Sequence, residues 1–324
     1  MVKLLVDELV DQGHSVTLFA TADCKTKAAL HPVADSCLTE LMARGEADAF
    51  EHYANAAVAE ALRRAADFDV IHFHLTPGWL PLASISQTPA LFTLHTCALR
   101  DDEWAFKRYP NVEVAAISRF QIKDSAARLH RDFPVVYNGC DFGAYEPSEL
   151  PGRYLAFLGR MSHAKNPVGA IAIAKACGLP LVLAGQPQNG AEERYFAEEV
   201  LPHIDGELIR WLGPVNHAQK AELLRNASAL LFPIQWDEPF GLVMIEAMAC
   251  GTPVVAVKRG SVGEVVEDGV TGFTGACPEE LAALVGPALA LDRKKVRVAG
   301  EARFGFRQMV AEYEKLYRRL IAGR

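Results

Sequence analysis

Apolar and polar residues alternate along this chain in two rhythms. Over residues 2–12, Leu4, Leu5, Leu9 and Val10 share one face at helical spacing, and Gly13 is a natural stop. Short β-branched or apolar runs then recur: SVTLFA (15–20), DVIHFHL (69–75), ALFTLH (90–95) and VEVAAIS (112–118). Helical patterns separate them. Continuous apolar strands alternating with helices predict a parallel sheet covered on both faces.

YEPSELPG (145–152) breaks the rhythm with two prolines and two glutamates and reads as a linker. The alternation then restarts with YLAFLG (154–159), a helix from Pro167, LPLVLAG (179–185), a helix near Glu192, LIRWLG (208–213), a helix from His217, ALLFP (229–233) and PVVAV (253–257). The expected class is α/β, with two doubly wound Rossmann-like domains, 1–147 and 148–305, facing a cleft. Ligands of open α/β sheets bind beyond the carboxyl ends of the strands, so motifs at strand ends carry the most weight.

WDEPFGLVMIEAMACGTPVVA (236–256) follows one such strand and holds Glu238 and Glu246 with seven residues between them. Pro239 is expected at the first position of a helix that Gly251 ends. The amides near Phe240, Gly241 and Leu242 then form an anion site at the helix N-terminus. Glu238 lies at the helix mouth and Glu246 two turns deeper, ~12 Å along the axis. Glycosidase carboxylates stand roughly 5 to 9.5 Å apart across one bond, so these two are expected to hold different parts of one long ligand. For Glu238, capping and ligand binding are equally good readings. Glu246, among Met244, Ile245, Ala247 and Met248, is harder to read as a solvated residue.

FLGRMSHAKNP (157–167) places Arg160 and Lys165 after another strand, with Asn166-Pro167 as N-cap and first helical residue. A planar fork and a point charge beside a helix N-terminus suit a diphosphate; alone, each would read as an ordinary surface cation. His95 ends ALFTLH, where a histidine serves as polar anchor, base or hydrogen-bonded structural residue. His72 and His74 share a strand face, but no third ligand follows at metal spacing, which favours core or strand-end roles.

Composition removes several classes. The chain has 324 residues, half of them apolar and 23% charged, as in ordinary globular proteins. A net charge of −7 argues against a nucleic-acid surface. Seven scattered cysteines without a CxxC pair fit reduced thiols and a cytoplasmic setting. No apolar run approaches the ~20 residues of a membrane span, and peripheral membrane contact is left open.

GRMSHAKN, EPFGLVMIEAMACGTPVVA and GEVVEDGVTGF, with VEVAAISRFQ and VVYNGCDF upstream, resemble the retaining nucleotide-sugar glycosyltransferases of family four, which have the two-domain GT-B fold. The resemblance covers nearly the whole chain. It implies a hexosyltransferase working from a nucleoside diphosphate sugar onto a sugar, lipid-linked or small-molecule acceptor hydroxyl, without metal or cofactor. By position, Arg160 and Lys165 would hold the diphosphate and Glu246 the ribose. Glu238, with the amides of Phe240, Gly241 and Leu242, would hold the sugar and β-phosphate. Gly213 and Val215 would border the base, and His95 would stand near the reacting sugar. The final segment, 306–324, with Met309, Tyr313, Leu316, Tyr317 and Leu320 on one face, resembles the family's helix that crosses back to the first domain. A catalytically inactive nucleotide-sugar binder, and a phosphorylase or epimerase on the same fold, are the alternatives.

Two departures stand out. The family's first strand and glycine-rich loop precede the helix that here begins at Val2, so a version extended upstream is expected to be more active. Gly263 also stands where the family often has proline.

Overall fold

The structure, a computed structural model, describes residues 1–323. It divides into two compact units: Met1–Gly139 with the segment from Phe306 onward, and Cys140–Gly305. In chain order the first unit holds α1 (Val2–Asp11), β1 (Thr17–Thr21), β2 (Ala29–Ala34), α2 (Leu38–Ala43), α3 (Glu51–Arg63), β3 (Ile71–Phe73), α4 (Leu80–Ala83), β4 (Ala90–Thr93), α5 (Arg100–Arg108), β5 (Glu113–Ala115) and α6 (Arg119–Leu129). The second holds β6 (Tyr154–Leu158), α7 (Pro167–Cys177), β7 (Leu181–Ala184), α8 (Gly190–Tyr195), β8 (Ile209–Trp211), α9 (His217–Asn226), β9 (Ala227–Phe232), α10 (Leu242–Ala249), β10 (Val254–Val257), α11 (Val262–Val265), β11 (Gly272–Gly275), α12 (Pro278–Leu289) and α13 (Arg293–Phe304). The last helix, α14 (Phe306–Ala322), belongs to the first unit.

All strand pairs are parallel, as continuous apolar strands joined by helices require. In the first unit they form two sheets rather than one: β1 with β2, and β3-β4-β5. Strand β2, ALHPVA, is not legible in the sequence, because Pro32 and its exposed positions hide the period. The three-stranded sheet buries Phe73, Phe92, Phe106 and Val114 on one face. On the other, Leu91 and Ala115 meet Leu5 and Leu9 of α1 and Met309, Val310, Tyr313 and Leu316 of α14. The predicted apolar stripe of the last helix is thus the stripe it buries, with Tyr317 and Leu320 at the margin of the same cluster.

The second unit carries one sheet in the order β11-β10-β9-β6-β7-β8. From β6 the chain winds outward through β7 to β8, then returns to the other side of β6 with β9 and winds out through β10 to β11. The order therefore reverses between β6 and β9, the topological switch point at which doubly wound sheets bind ligands. The β6 and β7 ends approach closely there. A Cβ on Gly185, whose φ is +122°, would lie 1.9 Å from the Gly159 carbonyl oxygen, so this position requires glycine.

Candidate functional site

The loops beyond β6 and β9 are fastened to each other before any ligand is considered. Asn166, in the left-handed region at φ 57°, caps α7 by accepting from the Gly169 amide, and its own side-chain amide donates to the Pro233 carbonyl at 3.0 Å. Gln235 N–H donates to the Ala164 carbonyl at 2.9 Å. The loop after β10 closes onto the second of them: Ser261 N–H donates to the Glu238 carbonyl at 2.8 Å, and Gly260 passes so close that a Cβ would meet the Glu238 backbone.

This fastening brings Lys165 and Glu238 together. The Lys165 ammonium donates to Glu238 Oε2, and Trp236 Nε1 donates to the same oxygen at 3.0 Å. The ammonium also stands 4.8 Å from the Trp236 ring centre and 5.5 Å from that of Phe232. Both charges are largely withdrawn from solvent, at 17% and 9% side-chain exposure, so removing either one strands the other away from water. Glu238 is therefore a buried, paired carboxylate rather than a cap of α10.

Arg160 does not share that partner. Its guanidinium lies 3.3 Å from Glu192 Oε1 and 3.4 Å from Gln188 Oε1, and it is the more exposed of the two cations.

The helix after β9 starts later than the sequence suggests. Gly241 is the N-cap, at φ 80°, and Leu242 is the first helical residue, so Pro239 and Phe240 lie in the loop ahead of it. A left-handed residue cannot continue a right-handed helix backward, and this sets the start. Glu246 is consequently about one turn inside, ~6 Å of axial rise from Leu242, not two turns. The Phe240 side chain is buried against Phe304, which leaves only its backbone for a ligand, while Leu242 is exposed.

Glu246 has partners that the sequence did not disclose. Lys220 Nζ of α9 donates to Glu246 Oε1 at 2.5 Å. Burial, followed by the nearby negative charge of Glu246, holds the Tyr145 phenol above the usual tyrosine range. Lys220 sits four residues past the Asn216 cap, whose reciprocal bonds with Gln219 fix the start of α9. Beyond β8, Gly213 adopts φ 72° and accepts from the Gly185 amide at 2.8 Å, and Val215 packs against the Ala156, Val182 and Leu223 cluster. The Arg293 guanidinium reaches the Ser148, Ala227 and Arg225 carbonyls and binds strands and linker together rather than a ligand.

In the first unit, His95 lies just past β4. Gln121, buried in α6, donates to the carbonyls on either side of it, Leu94 at 3.0 Å and Thr96 at 2.7 Å, and thereby fixes its backbone. His95 Nε2 lies 3.0 Å from His74 Nδ1. Burial lowers the pKa of His95, pushes His72 down to about 3 and holds His74 well below the usual histidine range. Among the described residues no group of three or more His, Cys, Asp or Glu could hold a metal ion. No helix among them is long and apolar enough to cross a membrane.

Trp236, Lys220, Tyr145, Gln121 and His74 were not singled out from sequence as site residues. Trp236 and Gln121 lie within the motifs WDEPFG and ISRFQ, where their proximity to Glu238 and to a strand end was the available signal.

Both halves of the chain match known families. The family described as Glycosyltransferase Family 4 matches residues 1–143, and that described as Glycosyl transferases group 1 matches 146–303. D-inositol 3-phosphate glycosyltransferase of Mycobacterium tuberculosis is 28% identical over 314 residues, covering 82% of this chain; the chain spans 64% of that relative's length. Sucrose-phosphate synthase of Thermosynechococcus elongatus superposes with a TM-score of 0.75 at 22% identity, over 100% of this chain and 93% of its own. AviGT4, a glycosyltransferase involved in avilamycin A biosynthesis, gives 0.69 at 25% identity, over 99% and 89%. HepE of Anabaena in complex with UDP gives 0.70 at 20%, over 89% and 90%. With both halves matched and the fold shared, this chain belongs to the glycosyltransferases of family-four type, with the GT-B fold.

Proposed function

We propose that this chain transfers a hexose from a nucleoside diphosphate sugar to an acceptor hydroxyl, with retention of anomeric configuration and without a metal ion. The observation that carries the reading is the buried Lys165–Glu238–Trp236 cluster at the switch point of the six-stranded sheet, with Glu246 about a turn inside the next helix. Related structures support the ligand class: HepE of Anabaena has been solved in complex with UDP-glucose, and with UDP and glucose.

In this reading the anomeric carbon–oxygen bond to the β-phosphate breaks and the leaving diphosphate gains a negative charge. Lys165, Arg160 and the free amides at the start of α10 stabilise that charge, which exists fully only as the bond breaks. Arg160 must exchange part of its contact with Glu192 for phosphate oxygens, and its exposure makes the exchange cheap. Glu238, held by Trp236, accepts from sugar hydroxyls. Glu246 uses the oxygen opposite its Lys220 bond for the ribose. The acceptor oxygen bonds to the anomeric carbon on the face the diphosphate leaves, and its proton passes to the departing phosphate oxygen. No enzymic nucleophile is consumed. Gly213 and Val215 border the base, and the family resemblance assigns His95 to the sugar side of the reaction.

The test is a thermal-shift panel of nucleoside diphosphates and their sugars, followed by a transfer assay with the best donor. Binding with transfer supports the reading; binding with neither transfer nor donor hydrolysis identifies a nucleotide-sugar binder. No shift with any member of the panel refutes both.

A further inference from the structure

Three histidines occupy neighbouring strand ends in the first unit, and each of their rings has a neighbour that restricts it. His72 is bonded on both sides: Nδ1 lies 2.7 Å from the Tyr317 hydroxyl and Nε2 lies 2.7 Å from Thr93 Oγ1. Thr93 Oγ1 is in turn 3.0 Å from the Tyr313 hydroxyl, so two tyrosines of α14 anchor this end. The His74 ring lies against His72, with centroids 4.1 Å apart, and therefore packs on a ring that cannot turn. The far side of His74 meets His95, Nδ1 to Nε2 at 3.0 Å, with the two rings inclined by 27°.

Two neutral imidazoles joined nitrogen to nitrogen allow one arrangement at a time, since one ring donates and the other accepts. If His74 donates, His95 carries its proton on Nδ1. If His95 donates, its Nδ1 is bare. Burial disfavours the imidazolium, in which both nitrogens donate. The Gln121 bonds to Leu94 and Thr96 fix the His95 backbone but leave the ring free to turn about its side-chain torsions. The bond to His74 removes that freedom.

We propose that His74 is a positioning residue: its bond to His95 Nε2 fixes the orientation of the His95 ring and couples its tautomer to that of His74, so that His95 offers a ligand one nitrogen, Nδ1. This rests on the reading that His95 serves the sugar side of the reaction. Tyr317 and Thr93 contribute indirectly, by holding the ring on which His74 packs.

The test uses the full chain labelled with 15N-histidine, and reads the His95 ring nitrogens by long-range proton–nitrogen correlation at about pH 7.5, where the rings are neutral. In the wild type the protonation of His95 Nε2 is the complement of that of His74 Nδ1. His74→Phe and His74→Gln remove the donor or acceptor from the Nδ1 position, and His95 shifts to tautomer-averaged resonances. His74→Asn places its amide near that position and restores the wild-type pattern. In the transfer assay, His74→Phe and His74→Gln lower kcat by roughly tenfold or more, as loosened catalytic geometry does, while nucleoside diphosphate affinity is unchanged. His74→Asn recovers most of the rate. Unchanged His95 resonances in both His74→Phe and His74→Gln would overturn the proposal, as would His74→Asn behaving like His74→Phe. His95→Ala separates the two ideas: undiminished transfer there refutes the role of His95, whereas lost transfer in His95→Ala with normal His74 variants refutes only the positioning role.

Discussion

Acid destabilises the first unit through His72, by an amount the structure sets. In the unfolded chain this histidine titrates near 6.5; in the fold, burial and then the positive charge His95 would carry push it down to about 3. A base with a depressed folded pKa contributes stability that is intact above its unfolded pKa and is lost as pH falls toward the folded one, because only the unfolded chain takes up the proton. At 1.36 kcal/mol per pKa unit, lowering the pH from about 7.5 to about 5 costs roughly 2 kcal/mol from His72 alone. His74 and His95 shift in the same direction and add to the loss. The local assay is hydrogen exchange at the β3 and β4 amides at several pH values, corrected for intrinsic rates, in the wild type and in His72→Gln. Glutamine can still reach Tyr317 or Thr93 and does not titrate. The wild type is expected to lose about 2 kcal/mol more protection than His72→Gln over this range. Parallel losses in the two proteins would show that His72 is not held neutral by the fold.

The remaining predictions concern the second unit. Lys165→Ala weakens nucleoside diphosphate binding by about 10- to 150-fold in calorimetry, the value of a charge-assisted bond of 1.5 to 3 kcal/mol, and Arg160→Ala weakens it in the same direction; unchanged affinity in both would remove the phosphate site. Lys165→Ala also strands the buried Glu238 carboxylate, so urea melts should show a loss of about 3 kcal/mol or more that Lys165→Met combined with Glu238→Gln largely recovers. Glu246→Ala weakens nucleotide and nucleotide-sugar binding alike, whereas Glu238→Ala acts mainly on sugar transfer; equal losses of bare nucleotide affinity would contradict the division. Transfer activity survives EDTA, since two cations and the α10 amides supply the charge a metal would otherwise give; loss restored by magnesium or manganese would refute this.

Much of the second unit was legible because its inner strands are largely buried on both faces and its helices carry strong punctuation: Asn166-Pro167 at the head of α7, Asn216 before α9, Gly251 after α10. The first unit was harder. Its β1 is nowhere fully buried, and β2 is partly exposed and interrupted by Pro32, so no period marks it. Near the site, Glu238, Glu246, Arg160 and Lys165 were visible as charged residues at strand and helix ends. Their pairings were not, because Lys165 with Glu238 and Lys220 with Glu246 are long-range contacts that spacing along one element cannot encode. The start of α10 was misplaced because Pro239 is a good first helical residue, while the left-handed Gly241 two positions later decides the matter. The histidine series shows the same limit: alternation put His72 and His74 on one face, but only the fold brings them to His95 and to two tyrosines of the last helix.

The most direct test of the central claim is calorimetric titration of the wild type and Glu246→Ala with the nucleoside diphosphate that gives the largest thermal shift. The account predicts saturable binding to one site in the wild type, and at least a several-fold loss in Glu246→Ala as the ribose hydroxyls lose a charged acceptor. No binding to the wild type, or equal affinity in both proteins, would contradict a nucleotide site built on α10.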